Sequence, residues 1–238
     1  MAAFHRRLYG ANRCVLALCG GADFLQLKEG IAASALAQLG AIDEPPPPPA
    51  LAVQPGLHRI KVPRLESARL LMLWGLPPAS DLHGVMGADL LTTVLAEGRR
   101  SRLVERLREQ LRIVESIDLD LHVMESGSFA LLEAICEADE LGAVHRAIAQ
   151  VWAELQEQGL TKPEWLRAQR LVANGYRFGL EAAGGLAGLI GNNRLWGRHQ
   201  ALALPLAEIE SWSSQDLLGQ VVPLLDPSRA CVLEAVPA

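Results

Sequence analysis

Hydrophobic spacing divides this chain into short strands and amphipathic helices. "IDLDLHVME" alternates Ile117, Leu119, Leu121 and Val123 with Asp118, Asp120 and His122, which predicts a strand with one wet face, paired in a hairpin with "GSFALLEAICE". "LHRIKVP", "SARLLMLWGLP" and the terminal "RACVLEAV" have strand length and strand composition. Helical periodicity marks "SDLHGVMGADLLTTVLAEG", capped by Ser80 and ended by Gly98, then residues 139 to 158, then "LTKPEWLRAQRLVANGYRFGLEAA". The last of these opens on a capping box, with Thr161 as cap, Pro163 in the first turn and Glu164 reaching back. A further helix begins at "SSQDLLGQVVPLL".

The first 44 residues read separately. "RCVLAL" has the pattern of a strand, Gly20-Gly21 of a turn, and a helix enters near Asp23. Five prolines, Pro45 to Pro49, cannot join a helix or a central strand, so residues 45–55 are expected to link this piece to a domain over 56–238. "LLGQVVPLLDPSRACVLEAV" near the end echoes "AAFHRRLYGANRCVLALC" at the start: helix, short turn, Arg, then an apolar stretch carrying a Cys. The echo implies that the chain opens near the end of one repeat and holds a second copy whole.

Composition removes several classes of function. At 238 residues, half of them hydrophobic, the chain is long enough to bury a core without a disulfide or metal staple. A net charge of -5 argues against general nucleic-acid binding. No apolar run reaches the ~18 residues of a membrane span, and a soluble protein of the reduced cytoplasm is favoured. Cys14, Cys19, Cys136 and Cys231 form no C-x-x-C pair and are expected to be buried apolar thiols, with Cys14 and Cys19 on opposite faces of one strand. The six histidines are scattered, with no H-E-x-x-H or H-x-x-E-H, so no metal is expected in this chain. No G-x-S-x-G accompanies a catalytic triad, and no catalytic residue is assigned. "GGLAGLIGNN" lacks the spacing of a phosphate loop and reads as small residues letting a helix pack closely, or as a break in it.

Against this acidic background, "EGRRSRLVERLREQLRIVES" places Arg99, Arg100, Arg102, Arg106, Arg108 and Arg112 within fourteen positions. On a helix from about Arg100, Leu103, Leu107 and Leu111 form an apolar stripe, and Arg102, Arg106, Glu105 and Glu109 pair on exposed faces. Arg108 flanks the stripe and is the arginine placed to turn its guanidinium fork into a cleft, where a carboxylate or peptide carbonyl would suit it.

"LLTTVLAEGRRSRLVERLREQLRIVES" resembles the second-domain signature of the pitrilysin/insulinase-type zinc metallopeptidases, especially the mitochondrial-processing-peptidase-like branch, approximately L-L-G-x-G-x-S-S-R-L, L-R-E and G-L-x-Y-S. "YGANRCVLALCGGAD", "LTKPEWLRAQRLVANGY" and "IESWSSQDLLGQVVPLLDPSRACVLEAV" are similar to further stretches of that family, in the same order. The resemblance implies an α+β half-clamshell domain, an antiparallel-rich sheet covered by helices, preceded by a truncated strand-helix piece of a first domain. It implies a non-catalytic wall of a peptide chamber facing a zinc-bearing domain or subunit, with zinc only in that partner; the alternative is a purely structural assembly subunit. Pairing of two copies stays open. The family's substrate-holding Arg corresponds to Arg108, and its Tyr to Glu115, a carboxylate that cannot donate to an oxyanion and is expected to pair with a neighbouring arginine. The signature's glycine corresponds to Arg112, which predicts a remodelled turn there.

Overall fold

The computed structural model describes residues 2–43, 49, 51–198 and 201–238; most of the proline run at 45–49 lies outside them. In chain order the helices and strands are α1 Ala2–Leu8, α2 Phe24–Ala32, β1 Gly56–Val62, β2 Ala68–Leu76, α3 Leu82–Ala96, a π-helix at Val104–Gln110, β3 Ser116–His122, β4 Ser128–Cys136, α4 Leu141–Gln158, α5 Lys162–Glu181, α6 Ala183–Leu195, α7 Leu204–Ser211, α8 Ser214–Gln220 and β5 Cys231–Pro237. They gather into two compact units, one of Met1–Pro49 with Tyr176–Ala201, the other of Ala50–Gly175 with Leu202–Ala238. The division falls inside α5, so residues 176–201 join the N-terminal piece rather than the domain that follows the prolines.

The second unit holds a five-stranded sheet in the order β1-β5-β2-β4-β3. Only β1–β5 is parallel; β5–β2, β2–β4 and β4–β3 are antiparallel, which is the expected antiparallel-rich α+β domain. Alternation decides its faces. Leu70, Met72 and Trp74 of β2 and Ala130, Leu132 and Ala134 of β4 point into one buried cluster with Leu90, Leu91, Ile148 and Leu155 of the helices. Each large side chain of that set contributes about 1.5–3 kcal/mol through burial. Trp74 and Trp152 stack there with ring centroids 6.3 Å apart, and Trp74 Nε1 donates to the Asp226 carbonyl at 2.8 Å. The opposite face is half-exposed and carries Leu71, Leu73, Leu131, Ile135 and Leu233. The register sets Leu71 against Leu233 and Leu73 against Leu131, and charged side chains flank this strip: Arg69 with Glu133 at 2.9 Å, then Asp118 and Asp120 on β3.

Four helix starts carry the expected capping chemistry, those of α2, α3, α5 and α8, with one displacement. Asp23 accepts from Leu25 N and Gln26 N, and Ser213 accepts from Asp216 N. The cap of α3 is Asp81, not Ser80: its carboxylate accepts from Gly84 N at 2.9 Å, a shorter reach to the third amide than a seryl oxygen one residue earlier would have. α7 lies in a stretch to which the spacing assigned no element. In the first unit the glycine-rich stretch is helical, and a Cβ at Gly191 would lie 3.3 Å from Ala17 Cβ, the close packing that the small residues predict.

The run Cys14–Cys19 is a correction. It forms no ladder with any described residue, and Cys14 and Cys19 are exposed; Cys231 is half-buried and only Cys136 is buried. Strand composition supplies a preference, but a strand exists only where a neighbour offers its own backbone groups. The echo between the two ends survives at the local level: α1 is followed by a 3-10 turn ending at Arg13, and α8 leads to a 3-10 turn ending at Arg229. The copy at β5 completes a ladder between β1 and β2.

Candidate functional site

The arginine stretch forms the element that leads into β3, one of the two edge strands of the sheet. It winds as a π-helix: Leu111 N bonds to the Arg106 carbonyl at 2.9 Å, five residues back, and Ile113 N closes on Leu107 O at 3.1 Å. Leu103 and Leu107 are fully buried, as the stripe predicts, but the wider winding turns Leu111 out to 49% exposure. Single-turn π-helices concentrate at functional sites.

Arg112 ends this helix at φ +57. The backbone takes the left-handed conformation that glycine adopts freely, and an arginine occupies it at a cost of about 1–2 kcal/mol.

The arginines divide into two sets. Arg102 and Arg106 do not lie on a solvated face; they reach across to other helices. Arg102 Nε donates to Glu164 Oε1 at 2.7 Å, and its Nη2 to Glu164 Oε2 at 3.1 Å and to the Gly159 carbonyl at 2.6 Å. Arg106 Nη2 bonds both oxygens of Glu154, at 3.1 and 3.0 Å. Glu164 meanwhile keeps its capping role, accepting from Thr161 N at 2.8 Å and Thr161 Oγ1 at 2.7 Å. One carboxylate thus starts α5 and anchors the π-helix. A cleft of about 300 Å³ between the π-helix and α4 is lined by these two pairs with Glu105 and Gln110. Sequence reasoning missed these cross-links; Glu164 was visible only as a capping residue, because its partner lies 62 positions away.

Arg99, Arg100, Arg108 and Arg112 face outward. Arg99 makes a forked pair with Glu109, at 3.3 and 2.9 Å. Arg108 is exposed and forms no hydrogen bond or ion pair with a described residue. Glu115 is exposed too, but it does not pair with an arginine: its Oε1 accepts from Ser67 Oγ at 3.1 Å, because its backbone is tied by Glu115 N to the Ile135 carbonyl at 2.8 Å, at the end of the sheet where β2 begins. No hydrogen bond or ion pair joins Arg108 to Glu115.

Among the described residues no group of three or more histidine, cysteine or carboxylate side chains is arranged to hold a metal ion. Cys136 is unsuited to nucleophilic attack, since burial, with the charges of Glu140 and Glu137, pushes its thiol up to about 11. A second cluster lies at the β1 edge, where the buried Glu234 carboxylate is held by Arg59 and by His145 Nε2, the latter at 2.9 Å. With both partners in place it is a structural tie between β1, β5 and α4. No described helix is long and apolar enough to cross a membrane.

Residues 1–172 match the family model described as the peptidase M16 inactive domain. No curated protein matches the chain. Among solved structures the chain is similar to a protease from Helicobacter pylori, with TM-score 0.79 and 17% identity over 92% of this chain and 54% of that one. It is similar to a peptidase M16 inactive domain from Pseudomonas fluorescens, with TM-score 0.76 and 16% identity over 90% and 51%. A chain of complex III2 from Candida albicans gives TM-score 0.74 and 15% identity over 91% and 53%. At such identities these structures establish the fold alone, and the chain spans about half the length of each. The family model covers most of the chain and assigns it: the chain belongs to the peptidase M16 inactive-domain family.

Proposed function

We propose that this domain is the zinc-free wall of a peptide chamber, working opposite a zinc-bearing domain or subunit and cleaving nothing alone. The observation that carries the reading is the sheet's half-exposed apolar face, Leu71, Leu73, Leu131 and Leu233, flanked by charge. An extended peptide meets such a surface with its apolar side chains and is oriented by polar groups at the rim. Arg108 is the substrate-contacting residue in this proposal: an unpartnered guanidinium on the helix that feeds the edge strand, able to donate to a peptide carbonyl or carboxylate. Zinc belongs to the partner and not to this chain. Exposed, unpaired Cys14 and Cys19 suit the reduced cytoplasm, where we place the protein.

In the complex of this chain with its zinc-bearing partner, Arg108→Glu should lower kcat/KM for peptide cleavage by about tenfold or more. Unchanged turnover would instead support the second reading, an assembly subunit, which is favoured by the fold shared with the complex III2 chain. Hydrolysis by the isolated chain on adding zinc, abolished by a chelator, would defeat both.

A further inference from the structure

We infer that Arg99, Arg108 and Arg112 form a cationic patch that selects acidic segments of the bound peptide; the inference rests on the peptide-wall reading above and names its substrate class.

The arrangement of partners carries it. Arg102 and Arg106 are consumed by Glu164 and Glu154, and Glu105 turns to their cleft, where it accepts from Gln110. Around Glu109, by contrast, three guanidinium groups share one carboxylate. Arg99 holds it directly, its side chain 81% exposed. Arg108 and Arg112 are close enough to help hold the Glu109 carboxyl below its ordinary range, after the larger effect of the Arg99 hydrogen bond, yet neither is bonded to it. Glu115, three residues past Arg112, accepts from Ser67 and forms no ion pair with any of the three. The surplus is positive in a chain whose net charge is -5.

Arg112 adds an independent observation. Its left-handed backbone is strained for any residue with a Cβ, and glycine would relieve it. The side chain kept there is exposed, makes no hydrogen bond or ion pair with a described residue, and shares its electrostatic pull on Glu109 with Arg99 and Arg108. A forked donor beside the unpartnered Arg108 fits a side-chain carboxylate bidentately. Selection by contact is required, because at physiological salt the Debye length is about 8 Å.

The test uses the 238-residue chain and fluorescence anisotropy with labelled extended peptides of about twelve residues, one alternating Asp with apolar residues and one with Asn in place of Asp, plus an RNA oligonucleotide of similar charge. The Asp peptide should bind about tenfold more tightly than the Asn peptide at about 150 mM salt. Arg112→Gly should cut that ratio to about two- or threefold while raising the melting temperature, so that the loss is not unfolding, and Arg112→Lys, which keeps the charge but loses the fork, should give a ratio between those of Arg112→Gly and the wild type. Equal binding of the two peptides would overturn the selectivity and leave the peptide wall standing; binding of neither would overturn both. An unchanged ratio in Arg112→Gly, or RNA bound as tightly as the Asp peptide, would also overturn the inference, the latter by assigning the patch to nucleic acid.

Discussion

Glu164→Gln isolates the contact that joins the π-helix to α5. Burial by itself would push the Glu164 carboxyl up, but the hydrogen bonds from Arg102, from the Thr161 hydroxyl and from Thr161 N, with the Arg102 charge, outweigh it and bring it from 4.5 down to about 2. At about 1.4 kcal/mol per pH unit, that difference corresponds to roughly 3 kcal/mol. The side chains of Arg102 and Glu164 keep 16% and 23% exposure, and solvent screening reduces the value to about 1–2 kcal/mol. A depressed carboxyl contributes its stability above the unfolded value and loses it as pH falls toward the folded one. The wild type should therefore exceed Glu164→Gln by about 1–2 kcal/mol at pH 7, and the gap should close steadily below about pH 4.5. Urea unfolding followed by tryptophan fluorescence reads it, since Trp74, Trp152, Trp165 and Trp212 all lie in the second unit and urea adds no ionic screening. With a slope of about 2 kcal/mol/M, the midpoint should shift by roughly 0.5–1 M at pH 7. A gap that persists unchanged into acid, or none at neutral pH, would refute the argument that the ionised carboxylate ties these helices together.

Two further predictions test packing and burial. Gly87 sits inside α3, where alanine normally adds about 1 kcal/mol of helix propensity, but a Cβ there would lie 2.5 Å from Trp212 Cζ2. Gly87→Ala should lower stability by about 1–3 kcal/mol in a denaturant titration, and a stabilised variant would show that Trp212 is free to move. Burial, reinforced by the charge of Glu97, raises the Asp89 carboxyl to about 6. A raised carboxyl gives stability that is complete below the unfolded value and lost as pH climbs through the folded one, so the wild type should weaken between about pH 4 and pH 6. Asp89→Asn should remove that slope and melt higher than the wild type at pH 7.5; parallel pH profiles would count against it.

Much of the architecture was legible from the order of the residues. Alternation at Ile117 to His122 reports a strand with one wet face because side chains in a strand change sides at every residue, and β3 shows that pattern. The Thr161–Glu164 box and the Asp23 cap were legible because donor and acceptor lie within three positions of each other. The order of the peptidase-like stretches conveyed the family before any geometry was known, and the family model agrees.

What the sequence determined by itself was therefore local: period, capping, and the lack of a metal-binding spacing. Tertiary structure decided which arginines are spent and which are free, because Arg102 and Arg106 find their carboxylates 62 and 48 positions away and ion pairing depends on distance in space. It decided that the run from Cys14 to Cys19 forms no ladder while the matching segment at β5 does, since a strand needs a neighbour's backbone. It placed Leu111 in solvent and Arg112 in a left-handed turn through a π winding that an apolar stripe at ordinary helical spacing does not encode. Periodicity is a property of neighbours along the chain; charge pairing and strain are settled only when distant segments meet.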